Sequence, residues 1–191
     1  MQRNQMKNLV LLALFVALIF LLGQTPLGLI PLGWCNVTLL VIPVAVGTIY
    51  MGLKYGLILG LAFGATSFVS ALIKPSVLVS TLMGASPVLT MVMTFVPRLC
   101  IPLVIWGMYT LLRGRQKHMA VAVAAACGSL TNTILYLGLM LLFYVLCGID
   151  NTAVLTAIGA TAGGAGPCEA IAAALICPPI LTALWKVGKR A

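Results

Sequence analysis

A single arginine, Arg98, lies in the apolar stretch TFVPRLCIPLVIWG, with no acidic residue within fifty positions on either side. An unpaired guanidinium in hydrocarbon costs several kcal/mol, so it needs a compensating partner. Its planar donor fork suits a carboxylate or a phosphate. Pro97 and Pro102 flank it and free backbone carbonyls, as in irregular helices beside polar cavities. We expect Arg98 to meet either a protein partner or an anionic ligand.

Few other side chains in the apolar stretches offer polar recognition. Asn132 both donates and accepts, which suits an amide or hydroxyl ligand, although an interhelical hydrogen bond is an equal alternative. Tyr136 and Trp34 can stack against a ligand, and Trp34 can equally anchor a membrane interface. Glu169 follows GGAGPC at a predicted helix start, where a carboxylate serves exposed N–H groups without any ligand. Alternatively, Glu169 pairs with Arg98 and locks the helices together.

The composition indicates a membrane protein. The chain has 191 residues, of which 62% are hydrophobic and 7% charged, whereas soluble domains average about 25% charged residues. The net charge of +9 does not indicate nucleic-acid binding, because the cations lie in short links between apolar runs and form no patch with aromatic residues. The six cysteines show no C-x-x-C spacing and mostly lie in apolar runs, which favours buried thiols over disulfides or metal ligands.

Catalysis and self-powered transport are poorly supported. The chain has one histidine, His118, and two acids, fewer than acid–base catalysis or a metal site would need. The scarcity of acids also disfavours proton- or sodium-coupled transport. No G-x-x-x-x-G-K-[ST] motif is present to cradle ATP phosphates. We therefore predict no cofactor and no metal, and any uphill transport would draw energy from another subunit.

The hydrophobic pattern predicts an all-α integral membrane protein, a single domain over residues 1–191. A spanning helix needs about 20 mostly apolar residues. Six stretches qualify, at about 8–24, 36–53, 55–73, 87–112, 118–147 and 168–186. Long links rich in Gly, Pro and Ser alternate with short basic links, as expected when the two kinds lie on opposite sides of the membrane.

The distribution of cations predicts that both termini are cytoplasmic. With six spans, the termini share one side with the two short basic links. That side would hold nine of the eleven cations: Arg3, Lys7, Lys54, Arg113, Arg115, Lys117, Lys186, Lys189 and Arg190. Only Lys74 would lie on the other side, and Arg98 lies within a span.

The polar residues within the spans fall at similar depths. Arg98 and Asn132 each lie fifteen residues from a cytoplasmic cation, or about 22 Å of helical rise. The same count places five further residues about 20–27 Å up: Gln24, Asn36, Ser67, Ser70 and Glu169. In a hydrocarbon core about 30 Å thick, this predicts a polar pocket that opens outward. The inner half offers mainly hydroxyls, such as Thr48 and Thr182, that can bond to their own helix backbone.

Small residues at helical spacing predict close helix contacts. Ala13 and Ala17 form an A-x-x-x-A stripe on the first span, suited either to a partner subunit or to packing inside the bundle. Four glycines recur at every fourth residue, and for them packing inside the bundle is favoured: Gly52, Gly56, Gly60 and Gly64.

The chain resembles the substrate-binding S components of energy-coupling factor (ECF) vitamin transporters. The resemblance extends over essentially the whole chain and includes the A-x-x-x-A stripe, which in that family faces the scaffold subunit. It also includes VPRL, GPCEAIAAALICPPI and the segment GWCNVTLLVIPVAVGTIYMGLKYGLILGLAFGATSF. These stretches are most similar to the pantothenate-type branch, and the folate- and riboflavin-type members are close.

The resemblance implies a binder in a prokaryotic cell membrane that captures a vitamin from outside. Partners would be a transmembrane scaffold subunit, docked at Ala13 and Ala17, and two cytoplasmic ATPases that drive release inward. The competing classes are a small integral-membrane enzyme and an accessory protein without a small-molecule ligand. The enzyme is disfavoured by the scarcity of acids and histidines, and we predict that the chain is not an enzyme.

Pantothenate fits the polar residues best, because it carries a carboxylate, hydroxyls and an amide. Folate has two carboxylates and would call for a second cation, which Lys74 could supply. Riboflavin would need more aromatic area than a chain with 7% aromatic residues is expected to offer. The predicted substrate-binding residues are Trp34, Asn36, Ser67, Ser70, Lys74, Arg98, Asn132, Tyr136 and Glu169.

Overall fold

The computed structural model describes residues 2–25, 29–31, 36–114, 116–150 and 152–190. In chain order the elements are α1 (Gln2–Gln24), β1 (Leu29–Pro31), β2 (Asn36–Thr38), α2 (Val41–Met51), α3 (Leu53–Ile73), α4 (Val77–Ala85), α5 (Pro87–Leu112), α6 (Lys117–Leu146), α7 (Thr152–Ala160), a π-helical turn (Thr161–Ala165) and α8 (Gly166–Arg190). The predicted helical architecture is therefore confirmed, with the addition of one short antiparallel hairpin, β1–β2.

Five stretches of the described chain are long and apolar enough to cross a membrane: Met6–Gln24, Leu53–Ile73, Pro87–Leu112, Lys117–Leu146 and Thr152–Val187. The last stretch runs through α7, the π-helical turn and α8. The predicted second span corresponds to α2, which has only 11 residues and a length of about 16 Å. The count of six spans therefore stays a prediction.

The helix α2 is shorter than the predicted span over 36–53, because the first residues of that predicted span form β2 and a turn. Val37 and Thr38 are β-branched, which favours extended backbone. Pro43 lies in the first turn of α2, where its missing N–H is not needed. The helix ends at Gly52, whose φ of 100° is readily adopted only by glycine, and α3 begins at the next residue.

Two of the long links contain short helices. The Ser76 hydroxyl caps α4 by accepting from the Val79 N–H, and Tyr144 holds this helix by donating to the Leu78 carbonyl at 2.6 Å. The Asp150 carboxylate accepts from the Thr152 N–H at 3.0 Å and so caps α7. These local signals turn the links into packed structure over one end of the bundle.

The main apolar core lies in the middle of the bundle, between α1, α2, α3, α5, α6 and α8. Ile101 and Ile105 on α5 meet Val121 on α6 and Leu181 on α8, and all four side chains are fully buried. A second cluster, centred on Leu82, joins α4 and α7 to the neighbouring ends of α5 and α6. The two cores fix the helices that carry the polar residues.

The glycine stripe on α3 packs inside the bundle, as predicted. A β-carbon at Gly60 would lie 2.6 Å from the carbonyl oxygen of Arg98, and one at Gly64 would lie 2.8 Å from the Phe95 ring. A β-carbon at Gly56 would collide with Thr48. Gly52 differs, because it ends α2 and has open space around it. Glycine at these positions lets α3 approach α2 and α5 closely.

We expect Gly60→Ala to lower the melting temperature, because the added methyl group must displace the backbone of Arg98. Overpacking of this kind costs about 1–3 kcal/mol. Gly138→Ala on α6 is the matched control, since a β-carbon there meets no atom within 4 Å. Thermal unfolding of both variants in the same detergent is the measurement, and equal melting temperatures would contradict the predicted close contact.

Candidate functional site

A cavity of about 350 Å³ lies between α1, α3, α5, α6, the π-helical turn and α8. We name it the Arg98 cavity. Its walls include six of the residues predicted from sequence: Ser67, Ser70, Arg98, Asn132, Tyr136 and Glu169. Helical rise predicted that five of them, all but Tyr136, share a depth, and the structure shows that all six line one cavity. Their role in binding substrate stays a prediction.

Arg98 is buried, with 8% of its surface exposed. Its Nη1 donates to the Met93 carbonyl at 3.3 Å. Met93 lies four residues before Pro97, which has no N–H to offer that carbonyl. The proline therefore supplies an acceptor for the arginine of the same helix. Pro102 similarly leaves the Arg98 carbonyl without its helical donor, at the place where Gly60 approaches.

Two aromatic rings hold the guanidinium. Its central carbon lies 4.6 Å from the centre of the Tyr136 ring and 5.4 Å from that of Phe63. Such cation–π contacts stabilise a cation by about 0.5–2 kcal/mol, more when it is desolvated. They leave the edge of the guanidinium for hydrogen bonds, and the buried Nε has no hydrogen-bond partner among the described residues. Arg98 is thus positioned by its neighbours without using all of its donors.

Asn132 adds an acceptor to the wall. It is 8% exposed, and its Oδ1 is buried with no hydrogen-bond partner in the described part of the chain. The Ser129 hydroxyl, one turn away on α6, is also buried without a hydrogen-bond partner among the described residues. Buried polar groups are normally satisfied, so these atoms mark a place for polar contacts with a ligand or with water.

Glu169 lies in the first turn of α8 and lines the Arg98 cavity. It interacts electrostatically with Arg98. Two alternatives were considered from the sequence: Glu169 stabilises the exposed N–H groups at the start of its helix, or it pairs with Arg98. Both are compatible with this position. The carboxylate lowers the net positive charge of the cavity, but the arginine retains donors that can meet an anion.

Ser70 joins the cavity wall to α1. Its hydroxyl lies 2.9 Å from the Thr66 carbonyl and 3.3 Å from the Gly23 carbonyl, and can donate to either. Gln24 donates to the Ser70 hydroxyl at 3.4 Å. Ser70 therefore has a structural role in addition to any contact with a ligand, whereas Ser67 is half-buried at the wall.

Three predicted residues are not seen at the cavity. Trp34 lies outside the described residues, and of Asn36 only the backbone, in β2, is described. Lys74 is exposed just after the end of α3 and does not line the cavity. Their predicted roles in binding stay predictions, and a second cation at the cavity wall is not supplied by Lys74.

Sequence reasoning missed several lining residues, among them Phe63, Thr66, Thr133 and Thr161. Phe63 and Thr66 could have been predicted, because they lie four residues before Ser67 and Ser70, respectively, on the same helical face. Thr161 could not have been predicted, because it reaches the wall from a link whose π-helical form has no clear sequence signal.

The predicted behaviour of Thr48 and Thr182 is confirmed: each hydroxyl donates to the carbonyl four residues earlier.

The described residues offer little for a metal. No three His, Cys, Asp or Glu side chains converge within the described ranges. The cysteines placed by the structure, at positions 100, 127, 147, 168 and 177, are free thiols. The chemistry at the Arg98 cavity is therefore that of hydrogen bonds, one buried cation and aromatic faces.

The alanine stripe lies away from the bundle. Ala13 and Ala17 are both exposed on α1, the least buried of the long apolar stretches. Packing inside the bundle, one of the two possibilities weighed from sequence, is therefore wrong for these residues. A flat, exposed surface remains on the side of α1 that does not contact the core.

Apolar helices around a small polar cavity define a membrane-embedded substrate-binding protein. The family model of the ECF transporter substrate-specific component matches residues 7–187, and the chain belongs to this family. It is also 27% identical over 160 residues to the pantothenic acid transporter PanT of Lactococcus lactis subsp. cremoris, covering 75% of this chain and 77% of that protein. The chain is thus a multi-pass membrane protein in a family of transport subunits and not of enzymes.

Proposed function

We propose that this subunit binds pantothenate from outside the cell and delivers it for ATP-driven uptake. The observation that carries the proposal is the buried guanidinium of Arg98 in a cavity of about 350 Å³, a volume near the lower end for ligand pockets. Pantothenate would place its carboxylate on Arg98. Its amide and hydroxyls would meet Asn132 and the hydroxyls of Ser67 and Thr133.

The shape and charge of the cavity favour pantothenate over the other vitamins considered. Folate needs a second cation, and Lys74 lies away from the cavity wall. Riboflavin needs free aromatic faces, and the rings of Tyr136 and Phe63 already contact the guanidinium. The similarity to a pantothenic acid transporter supports the same choice. A different vitamin remains the alternative substrate.

We propose a single domain of six spans, with α2 as the short second span and both termini in the cytoplasm of a prokaryote. The burial of eight of the 11 residues of α2 supports this assignment, because a helix enclosed by its neighbours need not match the full bilayer thickness. The proposed orientation rests on the excess of cations at the termini and short links. It places the Arg98 cavity in the outer half of the membrane.

The proposed partners are a transmembrane scaffold subunit and two cytoplasmic ATPases. The chain carries no phosphate-binding loop of its own, so the energy for uptake would come from these partners. The exposed stripe of Ala13 and Ala17 is the proposed contact with the scaffold, because small residues let a second helix approach closely.

We expect pantothenate to remain bound to the purified protein at close to one molecule per chain. Mass spectrometry of a denatured sample, prepared without added vitamin, measures this directly. Calorimetric titration with pantothenate, folate and riboflavin then tests selectivity on ligand-free protein. Another vitamin at that stoichiometry would replace pantothenate as the substrate. Absence of any bound vitamin, together with no heat of binding, would favour an accessory protein instead.

A further inference from the structure

A second cavity, of about 540 Å³, lies at the end of the bundle opposite the Arg98 cavity. We name it the basic cavity, and its main lining residues are Tyr50, Tyr109, Lys117, His118, Trp185 and Lys186. Lys117 lies fifteen residues from Asn132 on α6, and Lys186 lies seventeen from Glu169 on α8, or about 22–25 Å along each helix.

The basic cavity is separate from the Arg98 cavity. The fully buried side chains of Ile105, Val121 and Leu181 lie between the two along α5, α6 and α8. Close-packed apolar side chains of this kind leave no polar passage between the two cavities. A ligand of the basic cavity would therefore occupy a site separate from the Arg98 cavity.

No Asp or Glu side chain of the described residues lies near the cations of the basic cavity. The sequence contains two acids, Asp150 and Glu169. Glu169 lines the Arg98 cavity, and Asp150 lies beyond the far end of α6, about 45 Å along the helix from Lys117. Lys117 and Lys186 are exposed, and no Asp or Glu side chain in the described part of the chain lies near them, so both ammonium groups are available to an anionic ligand.

The remaining walls also favour an anion. Tyr50, Tyr109 and Trp185 are half-buried and carry O–H and N–H donors on apolar rings. His118 Nδ1 lies 3.4 Å from the Thr182 hydroxyl. That hydroxyl donates to the Pro178 carbonyl at 2.7 Å, and it can accept from the ring in the tautomer that carries a proton on Nδ1. The start of α6, at Lys117, adds its partial positive charge.

We propose that the basic cavity binds a phosphate group. Two lysine ammonium groups, aromatic hydroxyls and a helix start match the several oxygens of a phosphate mono- or diester. The rings of Tyr50, Tyr109 and Trp185 suit the boundary between a headgroup and acyl chains. The phosphate belongs either to an anionic phospholipid or to a soluble phosphate ester.

Native mass spectrometry of the whole subunit in detergent tests this proposal. Dioleoylphosphatidylglycerol and dioleoylphosphatidylcholine are titrated separately against wild-type protein, Lys117→Gln with Lys186→Gln, and a control that combines Lys54→Gln with Arg113→Gln. The control removes the same charge from exposed residues at the ends of neighbouring helices that do not line the basic cavity. Thermal unfolding of all three proteins establishes that each is folded.

We expect the cavity variant to bind the first phosphatidylglycerol about 30-fold more weakly, from the attraction of two basic residues to an anionic headgroup. The control should stay within about threefold of wild type, because neither Lys54 nor Arg113 lines the basic cavity. Glycerol 3-phosphate is added as a competitor: displacement of the lipid identifies a soluble phosphate ester as a ligand, and no displacement identifies the lipid. Phosphatidylcholine carries the same phosphodiester, but its choline cation neutralises the charge that Lys117 and Lys186 would meet. Equal losses in both variants, wild-type affinity in the cavity variant, or equal binding of phosphatidylcholine would each overturn the proposal. The readout does not involve the vitamin, so it stands apart from the function proposed above.

Discussion

Arg98→Ala is expected to weaken pantothenate binding by a hundredfold to several thousandfold while leaving a folded membrane protein. Removing one member of a buried charge pair typically costs about 3–5 kcal/mol, and each 1.4 kcal/mol is tenfold in affinity. In this protein the effect is direct, because the guanidinium lies in the cavity wall with its Nε unpartnered among the described residues. Calorimetric titration of the variant gives the change in Kd.

The control for this prediction is Arg113→Ala, which removes an exposed arginine at the end of the same helix. Its affinity should match wild type. Arg98→Lys should fall between the two, because a lysine keeps the charge but loses the planar fork and the stacking on Tyr136 and Phe63. Binding of Arg98→Ala within a few-fold of wild type would assign Arg98 a structural role.

A neutral analogue separates a direct contact from a structural effect. Wild-type protein should bind the alcohol analogue of pantothenate, with CH₂OH in place of the carboxylate, far more weakly than pantothenate itself. Arg98→Ala should lose this discrimination, because the group that distinguishes the two ligands is gone.

Glu169→Gln should cost less affinity than Arg98→Ala. Equal losses in these two variants would instead favour an Arg98–Glu169 pair that organises the cavity.

Ala13→Trp combined with Ala17→Trp is expected to abolish uptake while preserving ligand affinity. The two residues lie one turn apart on the exposed side of α1, so two indoles would hold a partner helix away from the backbone. They lie about 9 and 15 Å along α1 from Lys7, well short of the Arg98 cavity. Affinity, copurification with the scaffold and ATP-dependent uptake are measured on the same double variant.

The matched control places two indoles on another lipid-facing surface. Leu130→Trp with Ile134→Trp uses exposed residues four positions apart on α6. This pair should leave both binding and uptake intact. Loss of binding together with uptake in the Ala13 and Ala17 variant would sink the docking assignment, and so would normal uptake.

Much of the site could be predicted from the sequence, because the rise per residue of a helix is constant. Counting from the basic ends of the spans placed Arg98, Asn132 and Glu169 at one depth, and the structure brings all three to one cavity. The acceptor freed by Pro97 follows from the same regularity, since a proline always deprives the carbonyl four residues earlier. The role of the α3 glycines was similarly readable from their four-residue spacing.

Other features depended on how the helices pack, which local spacing does not encode. Phe63 meets Arg98 because the glycines of α3 let that helix approach α5. Thr161 reaches the cavity through a π-helical turn in the long link between the last two predicted spans. Lys74, a predicted substrate-binding residue, is exposed and does not line the cavity. Each outcome depends on the rotation of a helix about its axis, which neighbouring helices determine.

The sequence by itself determined the membrane-spanning character, the shared level of Arg98, Asn132 and Glu169 along their helices, and the family, because these depend on composition, helical rise and motifs along one chain. The tertiary structure alone decided that α2 is an enclosed short helix, that Ala13 and Ala17 face outward, and that Arg98 is held between two rings. The physical reason is that burial and side-chain contacts are properties of pairs of elements. A helix carries its periodicity in its own residues, but the neighbours it meets are set by the rest of the bundle.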